Sequence, residues 1–272
     1  GFSLIGLRNN LRYEAVQTED DWIFIDNLNN SQIGGSFQWI HNVHSRHQIQ
    51  SSATLGRFKS EYDYERGLEE REFSLENIYI LNEVEDLRLQ HQHTWNWTSS
   101  HQFQAGAEVM YLATNYIVED TILGETGSGN NIDGGAWIPS LYLQHGYSPT
   151  PKWFLQLGGR LTYHTEIDEW YPAPRLDVLY RPSEHLTFKG YAGQFYQYIS
   201  QLIEWSNFLL SSPAWLVSEG EDGIPPLASS QVGAGFTWDR KGWLVDVEAY
   251  VKDLTNLTSY SSTLASTPDL EF

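Results

Sequence analysis

The chain has no cysteine and a single methionine in 272 residues. Without cysteine there is no disulfide framework, no zinc–thiolate site and no thiol nucleophile. No window approaches the ~18 consecutive apolar residues that mark a membrane-spanning helix. A β route through a membrane stays open, because a spanning strand needs only about 9–11 residues and half of them can be polar. Basic residues are scarce: 16 against 35 acidic ones, a net charge of −19. Nucleic acid is therefore disfavoured as a partner, since binding it takes basic patches. No G-x-S-x-G, H-E-x-x-H or P-loop pattern occurs.

What the chain does have is aromatic residues, 14% of the total, with 11 Trp and 16 Tyr. Such an alphabet suits the interfacial belts of a membrane barrel, and also a carbohydrate-binding β-sandwich. The segment Trp153 to His164 points to the first. Alternate positions read Trp153, Leu155, Leu157, Gly159, Leu161 and Tyr163 on one side, and Phe154, Gln156, Gly158, Arg160, Thr162 and His164 on the other. Successive strand side chains point to opposite faces. One face is thus apolar and bounded by aromatics, as toward lipid, and the other is mostly hydrophilic, as toward a wet lumen.

The same alternation recurs along the chain and predicts about 11 strands with no convincing helix. Ile5, Leu7, Leu11, Tyr13 and Ala15 share a face of the first strand. Ile33 to Val43 supplies the second, Gln48 to Tyr62 the third, and Leu87 to Trp97 a fourth. Later strands follow at Phe103–Ala113, Trp137–Tyr147, Leu176–Tyr180, Leu186–Ala192, Val232–Trp238 and Trp243–Val251. Short connections are expected at 44–46, 98–100, 148–151, 181–184 and 239–242. Long ones are expected at 17–30, 61–78, 119–134 and 197–226, with 166–171 the exception. Short turns at one end and long loops at the other describe an antiparallel transmembrane β-barrel of the outer-membrane kind. Gly1 opens directly in strand-like sequence, without a basic and apolar leader, and Thr267 to Phe272 forms no clear terminal element. Both ends look cut, so residues 1–272 are expected to be one partial barrel domain.

A family resemblance rests on four stretches. They are Pro172-Ala173-Pro174-Arg175-Leu176-Asp177-Val178-Leu179-Tyr180-Arg181-Pro182; Leu186-Thr187-Phe188-Lys189-Gly190-Tyr191-Ala192-Gly193-Gln194-Phe195-Tyr196-Gln197; Pro225 to Phe236; and Val245 to Leu257. In order, and with short turns between them, they resemble the barrel of TonB-dependent outer-membrane receptors, most closely those of Bacteroidota. The resemblance covers residues 172–260; upstream only the architecture agrees. It implies a middle portion of a barrel of about 22 strands, with plug domain and terminal barrel strands lacking a counterpart here. It also implies an outer-membrane location and energy-coupled uptake of a scarce nutrient (a siderophore, cobalamin, glycan or peptide), in which no bond is made or broken, so no catalytic residues are expected. The implied partners are outer-membrane lipid, a TonB-type energy transducer acting through the plug, and a surface lipoprotein in some receptors. The other readings kept open are a secreted β-sandwich or lectin-like module and a passive porin.

The site candidates follow from position. Tyr196, Tyr198, Trp205, Phe208 and Trp215 crowd one long loop and are the candidates for ligand contact. Arg160, Arg175, Asp177, Arg181 and Lys189 fall on the polar face and are the candidates facing a plug across the lumen. His91 and His93 lie two apart beside Trp95 and Trp97, a pattern that suits an interfacial belt better than a metal site. No metal site or cofactor is expected. Calcium in the acidic stretches 61–72, 119–133, 166–169 and 219–222 is only a remote option, since no D-x-[DN]-x-[DN]-G loop is present.

Overall fold

The computed structural model describes residues 1–17, 22–68, 74–122, 125–126, 130–203, 213–220 and 223–257. Fourteen strands run in chain order. They are β1 (Phe2–Gln17), β2 (Trp22–His44), β3 (His47–Leu68), β4 (Ser74–Asn96), β5 (His101–Ile122), β6 (Glu125–Thr126) and β7 (Asn130–Thr150). Then come β8 (Trp153–His164), β9 (Glu169–Ser183), β10 (Leu186–Gln197), β11 (Ile199–Ile203), β12 (Pro213–Val217), β13 (Leu227–Arg240) and β14 (Trp243–Thr255). One antiparallel sheet is ordered β1-β2-β3-β4-β5-β7-β8-β9-β10-β13-β14, with β6 attached to β5. Each strand therefore pairs with the next one in the chain, except that the path steps over β6 between β5 and β7 and over β11 and β12 between β10 and β13. A separate two-stranded sheet joins β11 to β12. The single continuous sheet removes the sandwich reading, which requires two packed layers with the apolar faces between them.

The apolar faces point outward instead. Leu157 is 64% exposed, and Leu141, Leu143, Leu161, Val245, Val247 and Val251 are exposed with it. Three consecutive strands carry a Trp and a Tyr ten positions apart on that face: Trp137 and Tyr147, Trp153 and Tyr163, Trp170 and Tyr180. Ten steps at about 3.3 Å each span about 33 Å along a strand. With a strand tilt near 40° that becomes about 25 Å of height, the thickness of an outer-membrane apolar band. Neighbouring rings meet along both rims. Tyr111 lies 4.9 Å from Trp137 and Tyr163 lies 5.0 Å from Trp170 at one rim, and Trp153 lies 4.3 Å from Tyr180 at the other.

A group of imidazoles belongs to the rim on the short-turn side. His47 stacks on Trp95 at 4.9 Å and shares a 3.0 Å hydrogen bond with His93, which meets His91 at 3.1 Å. His101 and His145 share another 3.0 Å bond, and Phe103 stacks on His145 at 4.3 Å. His91 and His93 thus sit in an aromatic and imidazole belt. Among the described residues no three His, Asp or Glu side chains come together as a metal-ligand set.

The short turns come where the alternation expects them, and the strands press closer to them than expected. β13 and β14 are joined by Lys241 and Gly242 alone, with φ of 53° and 83°. Positive φ at both central residues is the mark of a type I′ hairpin turn, whose twist matches that of the strands.

The expected long connections need correction. Residues 22–30, most of 61–78, and much of 119–134 are strand, because β2, β3, β4, β5 and β7 climb well past the outer rim. The register gives the reason. The row Leu55, Leu87, Tyr111 and Trp137 lies at the rim, and the next outward row is Arg57, Glu85, Ala113 and Gly135. Above the membrane both faces can be polar, so the period-two apolar signal disappears while the ladder goes on. The charges there pair across strands, Arg57 with Glu83 at 3.0 Å and Glu85 at 3.5 Å, and along β3, Lys59 with Glu61 at 2.7 Å. On the inner side Tyr62 donates to Asp26 at 2.5 Å. Burial, and then the Asp26 carboxylate, holds the Tyr62 hydroxyl well above its usual range, so it remains a donor. The shared face of β1 differs from those of the later strands. Ile5 and Leu7 pair with Gly34 and Gln32, and Gln32 lines the lumen, so that apolar face points inward.

Leu157→Arg puts a charge near mid-membrane on the lipid face and should destabilise the bilayer-embedded barrel by about 2–4 kcal/mol in urea titration. Gln156→Arg, one residue away and facing the lumen, should change the same titration by less than about 1 kcal/mol. Equal losses would contradict the assigned faces.

Candidate functional site

The inner wall of β4, β5, β7, β8 and β9 encloses a cavity of about 940 Å³, bounded on its other side by the segment after β10 and by the β11–β12 hairpin. That hairpin was expected as irregular loop within 197–226. It is instead ordered by pairing Ile199 with Val217 and Ile203 with Pro213. It folds inward because its own apolar residues need cover. Tyr198 and Val217 pack on Leu112, Ala136 and Ile138 of the wall, and Ala214 and Leu216 pack with Tyr116. The backbone N–H of Val217 donates to Thr114 Oγ1 at 3.3 Å, and that of Ser218 to the Tyr198 carbonyl at 2.9 Å. Burying several apolar side chains at roughly 1.5–3 kcal/mol each holds the hairpin against the wall.

This packing brings Tyr196, Tyr198 and Trp215 to the cavity. Tyr171 meets both tyrosines edge-on, at 5.1 and 5.6 Å. Burial is the main cause pushing the Tyr198 hydroxyl up to about 12, so it stays neutral at any physiological pH and offers a hydrogen bond rather than a charge. Trp205 and Phe208 lie outside the described residues.

The five polar-face candidates separate. Arg160 and Arg175 line the cavity, while Asp177, Arg181 and Lys189 do not. Arg160 donates to Glu108 at 2.6 Å, sits 3.4 Å from Ser140 Oγ and stands over the Tyr142 ring at 5.2 Å. Arg175 stacks on Phe195 with its guanidinium 4.7 Å from the ring centre. Lys189 is engaged elsewhere on the inner surface, 3.0 Å from Asp246 and 2.9 Å from Glu248, and Tyr191 also donates to Glu248 at 3.1 Å. Arg181 stands at the short-turn end, where its backbone N–H donates to the Lys152 carbonyl at 2.7 Å.

Sequence alternation missed several wall residues. Arg88, Met110 and Phe195 also line the cavity, and so does Glu108. The alternation put Glu108 on the polar side of β5 but could not single it out, since its partner Arg160 is two strands away. The arrangement offers guanidinium groups beside phenol, indole and phenyl rings. That set suits a ligand combining rings with anionic oxygens.

A family model described as TonB-dependent receptor-like, beta-barrel matches residues 3–270. No curated protein matches. Among solved structures, the ferric yersiniabactin uptake receptor FyuA from Yersinia pestis aligns with a TM-score of 0.58 at 10% identity, over 94% of this chain and 40% of that one. The RagAB peptide transporter aligns at 0.55 and 10% identity, over 86% and 31%. The siderophore receptor PiuA from Acinetobacter baumannii aligns at 0.54 and 13% identity, over 92% and 46%. At such identities the likeness is one of fold. The chain spans less than half the length of each of these three.

Arg160→Ala would strand the Glu108 carboxylate, whose side chain is only 8% exposed. Leaving that group unpaired should cost about 1–3 kcal/mol of barrel stability, read as a lower unfolding midpoint. Adding Glu108→Gln to Arg160→Ala should recover part of the loss, because the uncompensated charge is then gone.

Proposed function

The chain belongs to the TonB-dependent receptor β-barrel family, and from that premise we propose that it forms part of a receptor for energy-coupled uptake of a scarce nutrient. Its place is the bacterial outer membrane, as for the barrels of that family. In this reading further strands pair with β1 and β14 and close the wall, since an open sheet edge is not tolerated in lipid. A plug fills the lumen, and Arg175, Asp177, Arg181 and Lys189 provide its polar contacts. A periplasmic transducer moves the plug, and a surface lipoprotein assists capture. The work is translocation, so no residue is assigned a catalytic part.

The observation that carries the proposal is the inward hairpin. It brings Tyr198 and Trp215 to the cavity that Arg88 and Arg175 also line. A volume of about 940 Å³ is at the upper end of ordinary small-ligand sites. Of the four nutrient classes, ferric siderophores and peptides fit this wall best, because both bring anionic oxygens and both can bring rings. PiuA is named as a siderophore receptor and RagAB as a peptide transporter, which supports the same pair of classes.

The test uses the intact receptor in its own cells. Labelled ferric siderophores, cobalamin, oligosaccharides and peptides are offered with and without a protonophore. The expected outcome is uptake of one class that stops when the gene is deleted and when the proton gradient is collapsed. Uptake that survives loss of the gradient would mean passive diffusion and would overturn the proposal. Trp215→Ala should weaken binding of the accepted ligand about 30-fold, the effect of losing an aromatic anchor of about 2 kcal/mol.

A further inference from the structure

We infer that the outer surface of the β2–β5 staves carries a binding site for one anionic glycerophospholipid of the periplasmic leaflet. The inference rests on the barrel lying in the outer membrane and not on what the barrel transports.

A groove of about 550 Å³ lies on the lipid-facing side at the short-turn end, lined by Trp95, Trp97, Phe103 and Leu143 with His44 and Arg46 at its turn end. The register explains the groove. His93 pairs with Ala105, which pairs with Leu143, and His91 pairs with Ala107, which pairs with Leu141. On the outward face of β5 two alanines therefore stand between larger side chains on β4 and β7. The two small side chains leave room along the apolar band beyond Phe103 for a hydrocarbon chain.

The polar end of the groove is built for a phosphate. Arg46 sits in the two-residue turn between β2 and β3 and has no ion-pair partner among the described residues. Its backbone N–H donates to His44 Nδ1 at 3.1 Å. With Nδ1 occupied as an acceptor, the neutral ring carries its proton on Nε2 and presents it as a second donor. A guanidinium and an imidazole N–H thus flank the place where an apolar groove leaves the membrane. A phosphodiester with acyl chains attached matches both halves at once. The short-turn end also carries Lys152, Arg181, Arg240 and Lys241 against Glu184 and Asp239, whereas the chain as a whole carries a net charge of −19. The periplasmic rim is therefore the basic end of an acidic protein, which favours an anionic headgroup over a zwitterionic one.

The intact receptor, purified in mild detergent, is mixed with equal amounts of dioleoyl phosphatidylglycerol and dioleoyl phosphatidylcholine and examined by native mass spectrometry. The expected result is one retained phosphatidylglycerol per barrel, preferred at least tenfold over phosphatidylcholine. Arg46→Glu should remove that preference. Ala105→Trp, which fills the room left by the small side chains and leaves Arg46 in place, should reduce retention of both lipids. Equal retention of the two lipids by the unaltered protein would overturn the proposal without reference to any variant. Unchanged phosphatidylglycerol retention in both variants would overturn it as well. Nutrient uptake is a separate readout, so failure of the uptake proposal leaves this result standing.

Discussion

Inside a bilayer a backbone N–H or C=O without a partner has no water to replace it, and each such group costs several kcal/mol. That constraint governs this chain. Eleven strands meet it by pairing in chain order along one antiparallel path. Once the ladder is fixed, the period of two decides everything a side chain can see. Odd positions of β8 face lipid and even positions face the lumen, and the register passes that assignment from strand to strand. A slip by one residue would move Leu157 inward and Arg160 into lipid, so the ladder and the apolar face enforce each other.

The lumen follows from the same alternation. Inward residues are freed from the need to be apolar, and the wall holds the Arg160–Glu108 pair, the Arg175–Phe195 stack and the Lys189 cluster. It also offers an apolar patch at Leu112, Ala136 and Ile138, against which the β11–β12 hairpin folds. The cavity is what remains between wall and hairpin. Structure and proposed function are linked at that point: the residues that anchor the hairpin are interleaved with the ones that line the cavity.

Much of this was legible in the sequence, for a physical reason. Within the membrane the two faces of a strand meet opposite solvents, and Trp153 to His164 records that contrast residue by residue. The Trp and Tyr spaced ten apart on β7, β8 and β9 record the membrane thickness as well. Above the rim both faces meet water, and the contrast vanishes. Glu61, Tyr62, Asp63, Tyr64 and Glu65 therefore look like a solvated loop and are strand. The hairpin escaped notice because its strands have five residues each, too few to establish a period. Pairs such as Arg160 with Glu108 depend on register across strands, which no local pattern reveals. The family motifs in 172–260 supplied what periodicity could not, namely which kind of barrel this is, and the match over residues 3–270 extends that identification upstream.

The central claim is the assignment of faces, and the absence of cysteine makes it directly measurable. Single cysteines placed from position 154 to 162 in the intact barrel can each carry a spin label in a bilayer. Collision with oxygen, which concentrates in lipid, and with a water-soluble nickel complex then reports the surroundings of each site. The account predicts a period of two, with oxygen dominant at Leu155, Leu157 and Leu161 and nickel dominant at Gln156, Arg160 and Thr162. A profile without that alternation, or one with the two sets exchanged, would contradict it.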